Sequence, residues 1–159
     1  DRDRHVDRGG GDLMADATRM TVVRAEPSEE DIARLVDEFY TKIRVDPALG
    51  PIFARAIPGD WGPHLETMRK FWSSVMLTSG RYKGNPVAVH HHVAGIQFDL
   101  FARWLELFEE TCHELFDEEL ARAFYGKAVR IAESLKLALF YRPDRPWPPM
   151  VGGQSSPAA

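Results

Sequence analysis

The chain of 159 residues has one cysteine, Cys112. A single thiol excludes an internal disulfide and any zinc site built from several cysteines. Net charge is also small: 20 basic against 24 acidic residues leave −4 with histidine neutral. That balance lacks the basic footprint with which proteins hold nucleic acid, so none is expected as a partner. No apolar run approaches the roughly 18–20 residues that cross a bilayer, and no membrane association is expected. The segment Asp1-Arg2-Asp3-Arg4-His5 opens no apolar stretch of the signal-peptide kind. These absences point to a reducing, cytoplasmic setting. No Gly-x-Gly-x-x-Gly dinucleotide fingerprint occurs, and strand-like alternation is essentially missing.

What is present is apolar and aromatic. Hydrophobic residues make up 44%, with 4 Trp, 4 Tyr and 9 Phe, enough to bury a core that offsets chain entropy. The length suits one domain. Residues 1–27 alternate Asp with Arg and include Gly9-Gly10-Gly11, so they read as a disordered or loosely docked extension. At the other end, Arg142-Pro143-Asp144-Arg145-Pro146-Trp147 cannot continue a helix, because proline lacks the donor N–H. Residues 142–159 read as a flexible tail rich in Pro, Gly and Ser.

Residues 28–141 read as an all-α domain of about five helices. Ser28-Glu29-Glu30-Asp31 is a capping signature, followed by an apolar stripe of Ile32, Leu35, Val36, Phe39, Tyr40 and Ile43. Asp46-Pro47 stops that helix, and Leu49 to Phe53 reads as a short turn segment. Asp60 is expected to cap a helix carrying Trp61, His64, Leu65, Met68, Phe71, Trp72 and Val75 on one broad face, ending near Thr78-Ser79-Gly80. Pro86 opens a short helix holding His90, His91 and His92. Two long helices follow. One bears Phe98, Phe101, Trp104, Leu105, Phe108 and Cys112; the other opens at Asp117 and bears Leu120, Phe124, Ala128, Ile131 and Leu135.

Most of these stripes need no function, since they are what a helical core requires. Three polar groups stand out against them. His64 lies mid-face between Trp61 and Met68, Tyr40 ends an otherwise apolar stripe, and His90 sits between two long apolar helices. Successive helical residues point about 100° apart, so the three adjacent histidines cannot aim at one centre. His90 shares its face with Val87 and Val93, which makes it the first choice for an inward imidazole; His92 comes second. A zinc site would want several converging ligands, and no His-x-x-x-His pair appears. One inward imidazole facing an aromatic, Met-bearing helix with another polar residue suits haem, a flat apolar disc that takes one axial base. Two other readings stay open on these grounds: a haem-free helical interaction module, and a surface metal site on His91 and His92.

Several spaced segments are similar to truncated haemoglobins of the third group. They are EFYTKIRVD at Glu38–Asp46, LGPIF at Leu49–Phe53, WGPHL at Trp61–Leu65, FWSSVML at Phe71–Leu77, GRYKGNP at Gly80–Pro86 and FARWLELF at Phe101–Phe108. The resemblance runs from about Ile32 to Tyr141 and lacks the glycine-pair motifs of the other two groups. It implies a shortened globin, a two-over-two helical sandwich enclosing haem b. It implies His90 as the iron ligand and Phe53 as the aromatic on the haem plane. It places Tyr40, His64 and Trp104 on the distal side, with Met68, Phe71 and Trp72 lining the same cavity and Tyr82 and Phe101 among the haem contacts.

The implied activity is reversible binding of oxygen, nitric oxide or carbon monoxide, with nitric oxide dioxygenation or peroxide turnover as the redox use. The chain has no room for a flavin domain, so electrons would come from a separate reductase. A monomer in the cytoplasm completes the expectation.

Overall fold

The computed structural model describes residues 26–149. The expected extension and tail lie outside the described residues except at 26–27, where Pro27 is buried, and at 142–149. Among the described residues six helices follow in order: α1 Glu29–Val45, α2 Gly50–Ala56, α3 Gly62–Leu77, α4 Pro86–His91, α5 Leu100–Leu115 and α6 Glu118–Phe140. No strand occurs among the described residues. None of these helices is long and apolar enough to cross a membrane.

Local chemistry sets the boundaries. Ser28 and Asp31 form a reciprocal capping box: the Asp31 N–H donates to Ser28 Oγ at 3.0 Å, and the Ser28 N–H to Asp31 Oδ2 at 2.9 Å. α1 then buries Ile32, Leu35, Val36, Phe39, Tyr40 and Ile43, the six residues its spacing predicts. Asp46 ends α1 and starts α2, since its Oδ2 accepts the N–H groups of Ala48 and Leu49 at 3.1 and 2.9 Å. α2 forms where a turn segment is expected from sequence, because Pro51 in the first turn costs no hydrogen bond. Gly50 permits the close approach of α2 to α1: a Cβ there would lie 2.9 Å from the Arg44 carbonyl oxygen.

α3 starts one residue later than its sequence signals suggest. Trp61 occupies the cap position, and Asp60 Oδ1 accepts the Gly62 N–H at 2.9 Å. Thr78, in the left-handed region at φ 52°, ends the helix. Asn85 and Asp117 cap α4 and α6 through the N–H groups of Ala88 and Leu120.

The helices pair two over two. α5 lies along α6, joined by Phe116 and Asp117; α1 lies against α3, and α1 against α5 joins the pairs. The main apolar cluster fills the space between them, around Phe39, Phe108, Cys112 and Phe124. A second cluster of Phe101, Ala132, Leu135 and Leu139, with Val87 and Ile96 at its edge, lies beneath α4, which packs on α6. After Phe140 the chain leaves the helix, and the Trp147 ring packs edge-on 5.8 Å from Phe98.

Candidate functional site

Tyr40, Phe53, Trp61 and His64 meet where α1, α2 and the start of α3 converge. The Tyr40 ring centroid lies 5.0 Å from His64, 5.9 Å from Phe53 and 5.9 Å from Trp61, while Trp61 lies 5.3 Å from His64. Most of these contacts are edge-to-face, the arrangement aromatic quadrupoles favour. His64 Nε2 is buried without a hydrogen-bond partner. Burial pushes the His64 pKa down, so the ring is neutral at pH 7. Burial pushes the Tyr40 hydroxyl well above its ordinary value, so it keeps its proton and remains a donor.

Trp104 reaches this cluster indirectly. Its ring stacks on Phe108 at 5.4 Å and 12°, and meets the edge of Phe39, which in turn touches Tyr40 at 5.2 Å. Further along α3, Met68 and Phe71 are half-buried against the main core. Trp72 turns the other way. It is 2% exposed and stacks 4.9 Å from Phe108 with Phe124 at its edge, so its ring packs in the core. Tyr82 packs on Phe71 at 5.2 Å, with its N–H donating to Ser74 Oγ at 2.9 Å. Gly84 leaves room for that ring, since a Cβ would come 2.5 Å from the Tyr82 hydroxyl oxygen.

His90 lies on α4, apart from the aromatic cluster. His90 is half-buried, whereas His91 and His92 are exposed. Its Nδ1 lies 2.6 Å from the Pro86 carbonyl oxygen. A carbonyl only accepts, so Nδ1 carries the proton and the lone pair resides on Nε2. Phe101 is buried in the second apolar cluster with Leu135 and Leu139, on the side of the core where α4 packs. No group of three or more His, Cys, Asp or Glu gathers as a metal site among the described residues.

The structure therefore brings Tyr40, Phe53 and His64 into contact, links Trp104 to them through Phe39, and sets His90 and Phe101 elsewhere. Two features escaped the sequence-based site. Trp61 touches Tyr40, Phe53 and His64; its place three residues before His64 is the sign that could have found it. Asp46 is buried and accepts from Arg103 at 2.8 Å, tying the α1–α2 turn to α5 next to Trp104. Burial raises the Asp46 pKa, but N–H bonds from Leu49 and Ala48 and the Arg103 guanidinium outweigh it and hold the carboxyl below its ordinary value.

No family model matches the chain. The group 3 truncated hemoglobin of Campylobacter jejuni is 34% identical over 116 residues, which cover 71% of this chain and 91% of that protein. The crystal structure of group III truncated hemoglobin from Campylobacter jejuni matches with a TM-score of 0.68 at 34% identity, covering 72% of this chain and 92% of that one. With helices paired two over two and this identity over most of both chains, the chain belongs to the third group of truncated haemoglobins.

Proposed function

We propose that the chain holds haem b with His90 as the iron ligand and binds a diatomic gas on a distal side formed by Tyr40, His64 and Trp104. The observation that carries this reading is the 2.6 Å contact between His90 Nδ1 and the Pro86 carbonyl. It fixes the tautomer and leaves Nε2 basic, the arrangement a metal-bound imidazole needs. The residues fit the group in a second way: the buried Nε2 of His64 has no protein partner, and a bound ligand would supply one. Haem iron, when bound, supplies a coordination position for a gas and a means of exchanging electrons.

The protein's part is electrostatic. Tyr40 remains protonated because it is buried, so its O–H is available to a ligand that gains negative charge. The Trp104 indole N–H is the second donor. His64 is neutral and can donate or accept. In a dry pocket each well-placed donor contributes roughly 1–3 kcal/mol, about 5- to 150-fold in ligand release. Phe53, Met68, Phe71, Tyr82 and Phe101 supply the apolar walls, and Trp72 backs them from the core.

Oxygen storage is the simplest activity this chain performs alone. Nitric oxide dioxygenation or peroxide turnover would draw electrons from a separate reductase. We assign the chain to the cytoplasm as a monomer. Optical spectra of the ferric, ferrous and CO-bound forms test the reading. A Soret band that shifts on reduction and again with CO is expected. A purified chain that takes up no haem when supplied with it would favour the haem-free interaction module instead.

A further inference from the structure

We propose that a surface pocket behind Trp61 binds a small aromatic carboxylate, whose presence acts on the Tyr40–His64 cluster through the Trp61 ring. The coupling to gas binding rests on the haem-globin reading above; the pocket itself does not. The pocket holds about 330 Å³ and is lined by Arg44, Ala54, Ile57, Pro58, Gly59 and Trp61. That volume lies at the small end for ligand sites and suits a compound of one ring. Gly59, at φ 100°, turns the chain along the pocket, and a Cβ there would meet nothing within 4 Å, so the space beside it is open.

Charge and shape select the occupant. Arg44 is the one charged side chain among these lining residues. Its guanidinium carbon lies over the Trp61 ring, 4.7 Å from the centroid. A guanidinium resting over an aromatic ring can still direct N–H donors to a planar anion. Arg69 and Arg103 are already held by Asp37 and Asp46; none of the ion pairs among the described residues engages Arg44. A carboxylate is the anion that matches the fork, two oxygens to two N–H groups. The remaining side chains of the lining, Ala54, Ile57, Pro58 and Trp61, are uncharged and suit an aromatic ring rather than a second charge.

Trp61 is the wall between this pocket and the distal cluster. It is 8% exposed, and its ring packs 5.3 Å from His64, 5.9 Å from Tyr40 and 6.3 Å from Phe53. An occupant held by Arg44 braces that ring. His64 then has less freedom to yield to a gas arriving beside it.

Benzoate is the probe, with benzyl alcohol as its uncharged counterpart, titrated into the full-length haem-loaded chain by calorimetry and ligand-observed NMR. Benzoate should bind at least about tenfold more tightly than the alcohol, since a charged hydrogen bond is roughly twice as strong as a neutral one. Arg44→Gln should weaken benzoate at least about tenfold, and Arg44→Lys should restore part of the loss. Ala54→Leu, which fills the pocket and leaves the charge, should abolish binding. Carbon monoxide association after flash photolysis should slow with saturating benzoate in the parent chain and be indifferent to it in Arg44→Gln. Equal binding of the two probes, or benzoate binding undiminished in Arg44→Gln and Ala54→Leu, overturns the site. Benzoate binding with unchanged gas kinetics overturns the coupling through Trp61. If the chain takes up no haem, the same titrations still decide the pocket, so that failure is read separately.

Discussion

Arg103 Nε and Nη2 both lie 2.8 Å from Oδ1 of Asp46, a carboxylate only 3% exposed. Its other oxygen accepts the N–H groups that start the turn into α2. One side chain therefore fastens the end of α1, the start of α2 and the first turns of α5. Tyr40, Phe53 and Trp104 lie on those three helices.

Asp46→Ala should destabilise the fold by about 2 kcal/mol, from lost caps and a lost ion pair to a part-exposed arginine. Tm should fall by roughly 5–10 °C. Asp46→Asn adds a pH signature. The Asp46 pKa is lowered in the fold, so its contribution is fully present above the unfolded value of about 3.9 and fades as pH falls through the lower folded value. Denaturant melts should show a constant gap between parent and Asp46→Asn above about pH 5 that narrows on acidification.

His90→Ala should abolish tight haem retention, while His91→Ala and His92→Ala leave it largely intact. The reason is placement: His90 is half-buried with Nδ1 tied to Pro86, and its two neighbours are exposed. Haem content per chain and the Soret spectrum of the three purified variants decide it. Normal stoichiometry in His90→Ala would move the iron ligand elsewhere, with His90→Ala/His92→Ala showing whether His92 had substituted.

Tyr40→Phe should speed oxygen dissociation by one to two orders of magnitude, roughly 1–3 kcal/mol for one lost donor. Trp104→Phe should act in the same direction by a smaller factor, since it reaches the cluster only through Phe39. Carbon monoxide gains little charge, so its dissociation should change much less. A packing defect would act on both gases alike, and Tyr40→Phe preserves the ring. Compensation by His64 would appear as non-additivity in Tyr40→Phe/His64→Leu. Stopped-flow release rates that rise equally for both gases would make Tyr40 a packing residue.

Cys112 should resist alkylation in the native chain and react only on unfolding. Its side chain is fully buried beside Phe108 and Phe124 in the main cluster, and burial, with Glu109 nearby, pushes its thiol up to about 12. Iodoacetamide labelling across a urea series at pH 8 should follow the global unfolding curve. Labelling ahead of that curve would reveal a local opening of α5.

Periodicity made the helices legible. The stripe of α1 and the capping signatures at Ser28 and Asp117 are local rules, written within four or five residues, and the structure obeys them. α2 was not legible as a helix, because seven residues carry no full stripe and its first turn is held from outside by Asp46. The site divides the same way. The geometry of one helix separates His90 from His91 and His92. The meeting of Tyr40, Phe53, Trp61 and His64 joins three elements, and no spacing within one segment encodes it. Trp72 shows the limit. It shares a broad face with Phe71 in sequence, yet a turn of 100° per residue sends its ring into the core against Phe108.

α4 has six residues, too few for a helix to persist by its own hydrogen bonds. It is ordered by the Asn85 cap and by packing on α6. A segment so dependent on its surroundings forms a small cooperative unit of low intrinsic stability. If the iron ligand is drawn from that unit, then cofactor loading is also local folding, and the two free energies are linked. Backbone amides of 88–93 should exchange with deuterated solvent in the haem-free chain long before those of α5 and α6, and slow by orders of magnitude once haem is bound.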